Sequence, residues 1–293
     1  MRNQFGTLYV LCAGVLWGFM GVFVNLLKSF GFSALQCTTI RIIVAAIVFL
    51  IFTLITDREK LKIRVCDLPL LAVTGLISIT AMSVLYISAI DKTSLSTAAV
   101  LLYTSPVFVM IMSVLFLGEK FTATKGVAVV CAFLGCFLVA GAKDARVTPL
   151  GLLVGIGAGI TYASYSIFGT FALKKYKPLT VTTYAFLIGA AAMLVLGDIK
   201  GIAAVFAASQ TPVKIVFAAL GSGLVTAVLP FMFYTAGLKT VPADKAAIIA
   251  CAEPLTASVL GLILYHEKLN YIGILLIVFA IVILQRKEKA KRK

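Results

Sequence analysis

Ten long apolar runs are the feature that most constrains how this chain can fold. Each holds about 18 or more predominantly apolar residues, the length that a helix needs to cross a bilayer. The runs do not alternate polar and apolar residues, and an open sheet cannot span lipid. Hydrophobic residues form 61% of the chain and charged residues 13%, which is more apolar surface than a soluble core can bury. The sequence therefore predicts an all-α integral membrane protein with ten transmembrane helices. The predicted spans are Thr7–Leu27, Ala34–Thr56, Leu68–Ile90, Leu95–Leu117, Thr124–Gly141, Pro149–Leu173, Leu179–Gly197, Pro212–Leu238, Pro242–Leu264 and Asn270–Gln285.

An internal repeat divides these spans into two sets. Tyr86–Lys120 and Tyr234–Lys268 align over 35 residues without a gap, at a fixed offset of 148. Only six positions are identical, but they occur in the same order and include Pro106 and Pro254. The front of each half repeats at an offset of 145. A duplicated membrane unit is typical of transporters.

The number of spans in each half predicts how the halves are oriented. Five crossings place the start of the second half on the opposite side of the membrane. We therefore expect two inverted five-helix repeats, which allow alternation between two open states. The first repeat is assigned to residues 1–145, and the second, with a basic cytoplasmic tail, to residues 146–293.

The distribution of Lys and Arg predicts the orientation in the membrane. Segments on the side of the N-terminus hold 18 of these residues, and segments on the other side hold seven. By the positive-inside rule, both termini are expected to be cytoplasmic, in a multi-pass protein of the cytoplasmic (inner) membrane. The tail from Arg286 to Lys293 is predicted to contact anionic lipid headgroups. Nucleic acid is not an expected partner, because the basic residues lie at membrane edges and form no basic stripe.

Two repeated motifs give the chain a resemblance to a known family. They are Leu102-Tyr-Thr-Ser-Pro106 followed by Leu117-Gly-Glu119-Lys120, and Ala252-Glu253-Pro254 followed by His266-Glu267-Lys268. With ten helices and an inverted repeat, the chain resembles the EamA-type branch of the drug/metabolite transporter superfamily. The resemblance implies the fold and the class of function. It leaves the substrate open, because the family moves amino acids, choline-like cations, nucleotide sugars, phosphorylated sugars and other metabolites.

Glu253 is the only acidic residue near the middle of a predicted span. An acid at a helix centre costs about 2.5–3.5 kcal/mol on insertion, so it usually faces a cavity or a partner. Pro254 removes a backbone donor beside it, which favours a broken helix of the kind found at transporter binding sites. Glu253 is interpreted as a substrate-binding or proton-carrying group. The alternative is a protonated structural acid bonded to a freed carbonyl or to Arg41.

Aromatic residues at similar depth predict the rest of a binding pocket. Trp17 and Tyr162 are repeat partners at the midpoints of the opening helices, and Tyr103 and Tyr165 lie nearby in depth. An aromatic pocket suits an apolar side chain, or a cation through cation–π attraction. Packing between helices is the alternative for the tyrosines.

Three further features are interpreted as gates or as structural groups. Tyr86 and Tyr234 are repeat partners at opposite depths, so we predict that they line two gates; interfacial tyrosines are the alternative. Arg41 is expected to snorkel to the interface or to pair internally; bidentate binding of a substrate carboxylate or phosphate is the alternative. The repeated Glu-Lys pairs that begin at Glu119 and Glu267 are predicted to stabilise helix ends.

The leading functional hypothesis is a secondary active transporter of small organic metabolites. Export of amino acids or related metabolites, with protons as a possible coupling ion, is the first form of this hypothesis. Import of choline-like quaternary ammonium compounds is the alternative. No catalytic motif or ion-selectivity filter is visible, so an enzyme or a channel is disfavoured. No cofactor is predicted, and a single chain that holds both halves is expected to work as a monomer.

Overall fold

The structure is a computed structural model that describes residues 2–141 and 148–290, with side chains described for residues 5–141 and 148–284. All regular elements in these ranges are helices. The predicted boundary between the two repeats, at residues 145 and 146, lies outside the described residues. So do the side chains of the basic tail that begins at Arg286.

Nine of the helices within the described residues are long and apolar enough to cross a membrane. The tenth predicted span corresponds to a helix whose described apolar part, Tyr271–Leu284, is shorter than the other nine. One short helix, Ile199–Ala208, replaces a predicted connection; its ten residues are too few to be recognised as a span. The elements are α1 (Phe5–Ser29), α2 (Ala34–Thr56), α3 (Val65–Lys92), α4 (Leu95–Leu117), α5 (Ala123–Ala140), α6 (Pro149–Leu173), α7 (Pro178–Leu196), α8 (Ile199–Ala208), α9 (Pro212–Leu238), α10 (Ala243–Tyr265) and α11 (Tyr271–Ala290).

Irregular turns occur at matching positions in the two halves. A π-helical turn at Leu76–Ala81 in α3 corresponds, at the offset of 148, to one at Leu224–Val228 in α9. In α4 the helix is interrupted at Tyr103, and in α10 at Cys251, again 148 residues apart. A proline lies in the first turns after each interruption, where its missing N–H leaves no helical bond unmade.

Close helix packing depends on glycine at two corresponding places. Helix α1 packs against α9 and α10, and α6 packs against α3 and α4. A Cβ atom on Gly14 of α1 would lie 2.9 Å from the Ala250 carbonyl oxygen. On Gly159 of α6 it would lie 2.9 Å from the Leu101 carbonyl oxygen. Larger side chains there would push the helices apart.

The helix ends form two layers, which we name by their distance from the N-terminus. The proximal end holds connections 57–64, 118–122, 174–177 and 239–242, and the distal end holds connections 30–33, 93–94, 197–211 and 266–270. At the proximal end, Glu119 accepts a hydrogen bond from the Ala243 N–H at 3.0 Å. At the distal end, the Thr148 hydroxyl donates to the Lys92 carbonyl at 3.2 Å.

Candidate functional site

A small cavity of about 30 Å³ lies between α1, α4, α6, α9 and α10, in the interior of the helix bundle. Because α1 and α4 belong to the first half and the other three helices to the second, both halves contribute to its wall. Its lining is Trp17, Ser105, Val109, Tyr162, Ala163, Tyr165, Ser166, Phe231, Tyr234, Ala247 and Ala250. The wall is mostly apolar and aromatic, with hydroxyl groups as its polar atoms. Such a lining suits a small organic ligand with an apolar part.

Trp17 is the centre of the aromatic wall. Its ring meets Phe231 edge-on at 5.3 Å between centroids, and Tyr162 edge-on at 6.3 Å. Tyr234 lies against it in a tilted arrangement at 5.3 Å. Phe231 also meets Tyr165 edge-on at 5.0 Å. Edge-to-face contacts at these separations are favourable, so the rings support one another as a rigid surface.

Two buried hydrogen bonds hold the tyrosines of this wall in place. The hydroxyl groups of Tyr234 and Ser166 lie 2.8 Å apart. Those of Tyr165 and Thr235 lie 2.7 Å apart. Because these phenols have protein partners, they are satisfied without a ligand.

Exposure of the tyrosines divides the site into two levels. Tyr165 is 3% exposed and Tyr234 is 4% exposed. Tyr86, Tyr103 and Tyr162 are only half-buried, although they lie deep within their helices. The buried rings lie on the proximal side of the cavity, and Tyr86 lies in the distal half of α3. The distal level is therefore less tightly packed around its tyrosines than the proximal level.

Two opposite charges lie beside the cavity at the half-buried level. Tyr103 lies beside the Glu253 carboxylate and interacts with it. Arg41 interacts electrostatically with Glu253 and with Tyr162, a residue of the cavity wall. The Arg41 guanidinium donates to the Met20 Sδ at 3.0 Å, so it points toward α1 and the interior. Arg41 is thus turned inward and attracted to Glu253, but it forms no ion pair with a described carboxylate.

The structure brings most of the predicted site residues together. Trp17, Tyr162 and Tyr165 share the cavity wall. Tyr103 and Glu253 stand next to it, and each has an electrostatic interaction with Tyr162. The two predicted gate residues differ. Tyr234 is part of the cavity wall, whereas its repeat partner Tyr86 packs with Tyr162 in a separate cluster.

Three wall residues that carry an aromatic ring or a hydroxyl group were not predicted from the sequence. Phe231 lies three residues before Tyr234, so the two side chains lie on the same face of α9. Ser105 is the repeat counterpart of Glu253 at the offset of 148, a signal that was available. Ser166 gave no signal, because a serine in an apolar helix is common and its role depends on the hydrogen bond to Tyr234.

A second ionic group closes the proximal end. Lys125 forms ion pairs with Asp244 and with Glu119, at 3.6 Å in the latter case. The Asp244 side chain is 1% exposed, and that of Glu119 is 16% exposed. Burial and the neighbouring Asp244 raise the pKa of the Glu119 carboxyl. The predicted role of Glu119 at a helix end thus involves Lys125, and Lys120 beside it is exposed.

Potential metal ligands are dispersed in the part of the chain that the structure describes. No group of three or more His, Cys, Asp or Glu side chains could hold a metal ion there. The six cysteines are free thiols, of which only Cys66 is exposed. The chemistry of the described site is therefore that of aromatic rings, hydroxyl groups and two charges.

Comparison with known proteins assigns the fold to a transporter family. The EamA-like transporter family matches residues 4–141 and again residues 149–284. An uncharacterized transporter of Archaeoglobus fulgidus is 29% identical over 274 residues, which cover 91% of this chain and 90% of the relative. The uncharacterized transporter YwfM of Bacillus subtilis is 25% identical, with 99% of this chain and 97% of the relative covered.

Two further similarities are consistent with this assignment. The uncharacterized inner membrane transporter YicL of Salmonella typhimurium is 23% identical, with 98% and 97% coverage. A solved crystal structure has a TM-score of 0.80 at 14% identity, covering 98% of this chain and 99% of its own. The second similarity concerns the fold alone. With the family matched over both halves, this chain belongs to the EamA-like transporter family and is a multi-pass membrane transporter, not an enzyme.

Proposed function

We propose that the chain is a secondary active transporter of small organic metabolites that works by alternating access between two inverted five-helix repeats. The assignment of the repeats to residues 1–145 and 146–293 is part of this proposal. The matching π-helical turns and the matching interruptions of α4 and α10 support it. Two similar halves of opposite orientation can exchange conformations, which produces two states of similar energy.

The observation that carries the proposal is a cavity built from both halves and closed more tightly on one side. Trp17 from α1 and Tyr162 from α6 meet across it. On its proximal side, Tyr234 is buried and bonded to Ser166. On its distal side, Tyr86 is half-buried. This difference is what a transporter with one closed gate would have, and we assign the gates to Tyr234 and Tyr86.

Amino acids or related metabolites are the substrates that we propose, with export as the direction. The apolar and aromatic wall offers a place for a side chain, and Ser105 and Ser166 offer hydroxyl groups. Import of choline-like quaternary ammonium compounds is the second candidate. It is favoured by Glu253 close to Tyr103 and Tyr162, because a carboxylate and aromatic faces both attract a cation.

Proteoliposome counterflow separates these candidates. Vesicles with purified protein are loaded with unlabelled L-leucine, L-phenylalanine or choline, and uptake of the same labelled compound is followed. Accumulation above empty vesicles with either amino acid supports the first candidate, and accumulation with choline alone supports the second. Flux that is linear in concentration and shows no counterflow would contradict a carrier.

Glu253 is the proposed site of proton coupling. Glu253→Gln removes the titratable group and keeps the shape of the side chain. We expect pH-driven transport to be lost and solute exchange to continue. Unchanged pH dependence in this variant would exclude the coupling role.

The gate assignment is tested by labelling single cysteines in a background without the six native ones. Tyr86→Cys and Tyr234→Cys should react with a membrane-impermeant maleimide in opposite conformational states. Equal labelling of both in every state would reject gating by these residues. Labelling from each side of oriented vesicles also tests the proposed cytoplasmic location of both termini. Chemical cross-linking of the purified protein tests the proposed monomeric state.

A further inference from the structure

Arg41 is a charged group in the membrane interior whose protein partners do not neutralise it. It lies in α2, seven residues from the distal start of that helix. Of its five N–H donors, one reaches the Met20 Sδ, which is a weak acceptor. No described carboxylate lies within ion-pair distance of its guanidinium. Arginine inside a membrane normally pairs with a counter-ion or lines a water-filled path. Most of its hydrogen-bonding capacity is therefore available to a ligand.

Glu253 is the natural counter-ion but is not in direct contact with Arg41. The two charges influence each other electrostatically, and Tyr162 interacts with both. The carboxylate also interacts with Tyr103 from α4. Because the two opposite charges are not in contact, each can be neutralised by one end of a ligand that carries both signs.

Arg41 and Glu253 have no charged counterparts in the other half of the chain. Ser105 stands at the position corresponding to Glu253, at the offset of 148. At the offset of 145 found for the opening helices, Arg41 corresponds to Phe186, which packs between Phe49 and Phe231. Each charge thus exists once, and both interact with Tyr162 in the centre of the molecule. Packing of the fold does not need them, since the other half is built without them.

Tyr162 connects the charged pair to the aromatic cavity. Its ring contacts Trp17 at 6.3 Å and lines the cavity. A ligand held between the two charges would therefore place an adjoining side chain against the aromatic wall. An α-amino acid with an apolar side chain has two matching parts, a charged head group and an apolar group.

We infer that Arg41 binds the carboxylate of the substrate and that Glu253 receives its ammonium group, so that the site selects a small zwitterion. The inference rests on the proposed function and narrows it to the first candidate. The planar guanidinium can hold a carboxylate through two parallel hydrogen bonds. A quaternary ammonium compound without a carboxylate would leave Arg41 unneutralised.

The test measures binding by thermal shift of the purified full-length protein, with two sets of matched compounds. The first set is L-leucine, L-leucinamide and 4-methylpentanoate; the second is L-phenylalanine, L-phenylalaninamide and 3-phenylpropanoate. Each amide lacks the carboxylate, and each acid lacks the ammonium group. We expect at least one amino acid to stabilise the wild-type protein, and its amide and acid to bind at least about 30-fold more weakly.

Variants assign each end of the ligand to its residue. Arg41→Gln should weaken binding of the amino acid by about 30-fold or more and should bring the amide close to it in affinity. Arg41→Lys should retain part of the affinity, because it keeps the charge and loses the bidentate geometry. Glu253→Gln should likewise weaken binding of the amino acid and bring the deaminated acid close to it in affinity, so solute exchange by this variant is measured at a saturating amino-acid concentration. Arg58→Gln, which removes a similar charge from an exposed connection, should leave binding unchanged.

The outcomes separate this inference from the proposed function. Equal binding of amino acid and amide to the wild-type protein would overturn the role of Arg41, even if Arg41→Gln does not fold. The same holds if Arg41→Gln folds and binds the amino acid normally. Stabilisation by choline alone, with counterflow of choline, would refute the zwitterion site and leave the transporter proposal intact. Absence of counterflow for every compound would count against the proposed function itself.

Discussion

The proximal and distal ends of the bundle are built alike in backbone but fastened differently by side chains. In each half, a glycine of the opening helix lies against the other half: Gly14 against Ala250, and Gly159 against Leu101. All ion pairs among the described residues, however, lie at the proximal end. The described contacts of the distal end are neutral or singly charged, such as the hydrogen bond from Gln36 to Asp198 at 2.8 Å.

Because of this difference, the two proposed gates need not open with the same ease. At the positions corresponding to Glu119, Lys125 and Asp244, the other half has Glu267, Gly273 and Ser96. The distal end therefore lacks the lysine that would join such a group. Separating buried opposite charges is costly, so the ionic group of Lys125 favours the state in which the proximal end is closed.

The largest effect is expected from Lys125→Met. The variant leaves Glu119 and Asp244 buried without their cation, which should destabilise the protein by about 3 kcal/mol, since one carboxyl can take up a proton. Thermal unfolding in detergent measures the loss. The matched control is Lys62→Met, whose ion pair with Glu59 is exposed and should contribute less than about 1 kcal/mol.

Neutralising the partners tests the cause of that loss. Adding Glu119→Gln and Asp244→Asn to Lys125→Met should restore more than half of the stability, because no unpaired charge remains. In oriented vesicles, Lys125→Met should also increase labelling of Tyr234→Cys from the proximal side. If labelling increases only at Tyr86→Cys, the ionic group does not hold the proximal end closed.

Larger side chains at the two glycine contacts should have effects of similar size on the two ends. Gly14→Val and Gly159→Val each place methyl groups against a carbonyl oxygen, and each should cost about 1–3 kcal/mol. The first should favour opening of the proximal end and the second opening of the distal end, as measured by cysteine labelling. Gly21→Ala is the control, since a Cβ atom there meets nothing within 4 Å. A shift in the same direction for both valine variants would contradict the comparison.

A smaller difference is expected between the two gate tyrosines. Tyr234→Phe leaves the buried Ser166 hydroxyl without its tyrosine partner and should destabilise by about 1 kcal/mol. Tyr86→Phe, at the corresponding position of the first half, removes a phenol without a described hydrogen-bond partner and should change stability by less than about 0.5 kcal/mol. Combining Tyr234→Phe with Ser166→Ala should reduce the penalty. Equal losses for Tyr86→Phe and Tyr234→Phe would argue against a tighter proximal gate.

The smallest expected effect is a change of the free energy of unfolding with pH, caused by Glu119 at the proximal end. Because the pKa of Glu119 is raised in the folded protein, the folded state binds more protons than the unfolded state above the ordinary pKa of a carboxyl. Stability should therefore decline as pH rises through the folded pKa, and Lys125 should limit the decline by compensating the ionised pair. Unfolding temperatures between about pH 5 and 8 measure it. Glu119→Gln should flatten the profile; an unchanged profile would exclude Glu119 as the titrating group.

The comparison also shows where prediction from the sequence succeeded. The apolar runs placed nine membrane helices close to their observed positions, because the bilayer imposes both length and composition. The repeat signalled positions that matter in the structure, such as the interruptions at Tyr103 and Cys251. Neither the apolar runs nor the repeat predicted helix α8, whose residues pack on the bundle without crossing it.

By itself, the sequence determined the class of protein, the order of its helices and the family to which it belongs, because these depend on local hydropathy and on residues close together in the chain. Only the tertiary structure decided which polar groups meet. Arg41 reaches Met20 instead of an acid, and Lys125 joins carboxylates that are 125 residues apart in the sequence, Glu119 and Asp244. These contacts follow from how the helices are rotated and packed. In an apolar helix, hydropathy changes little from one face to the other, so the sequence pattern does not encode that rotation.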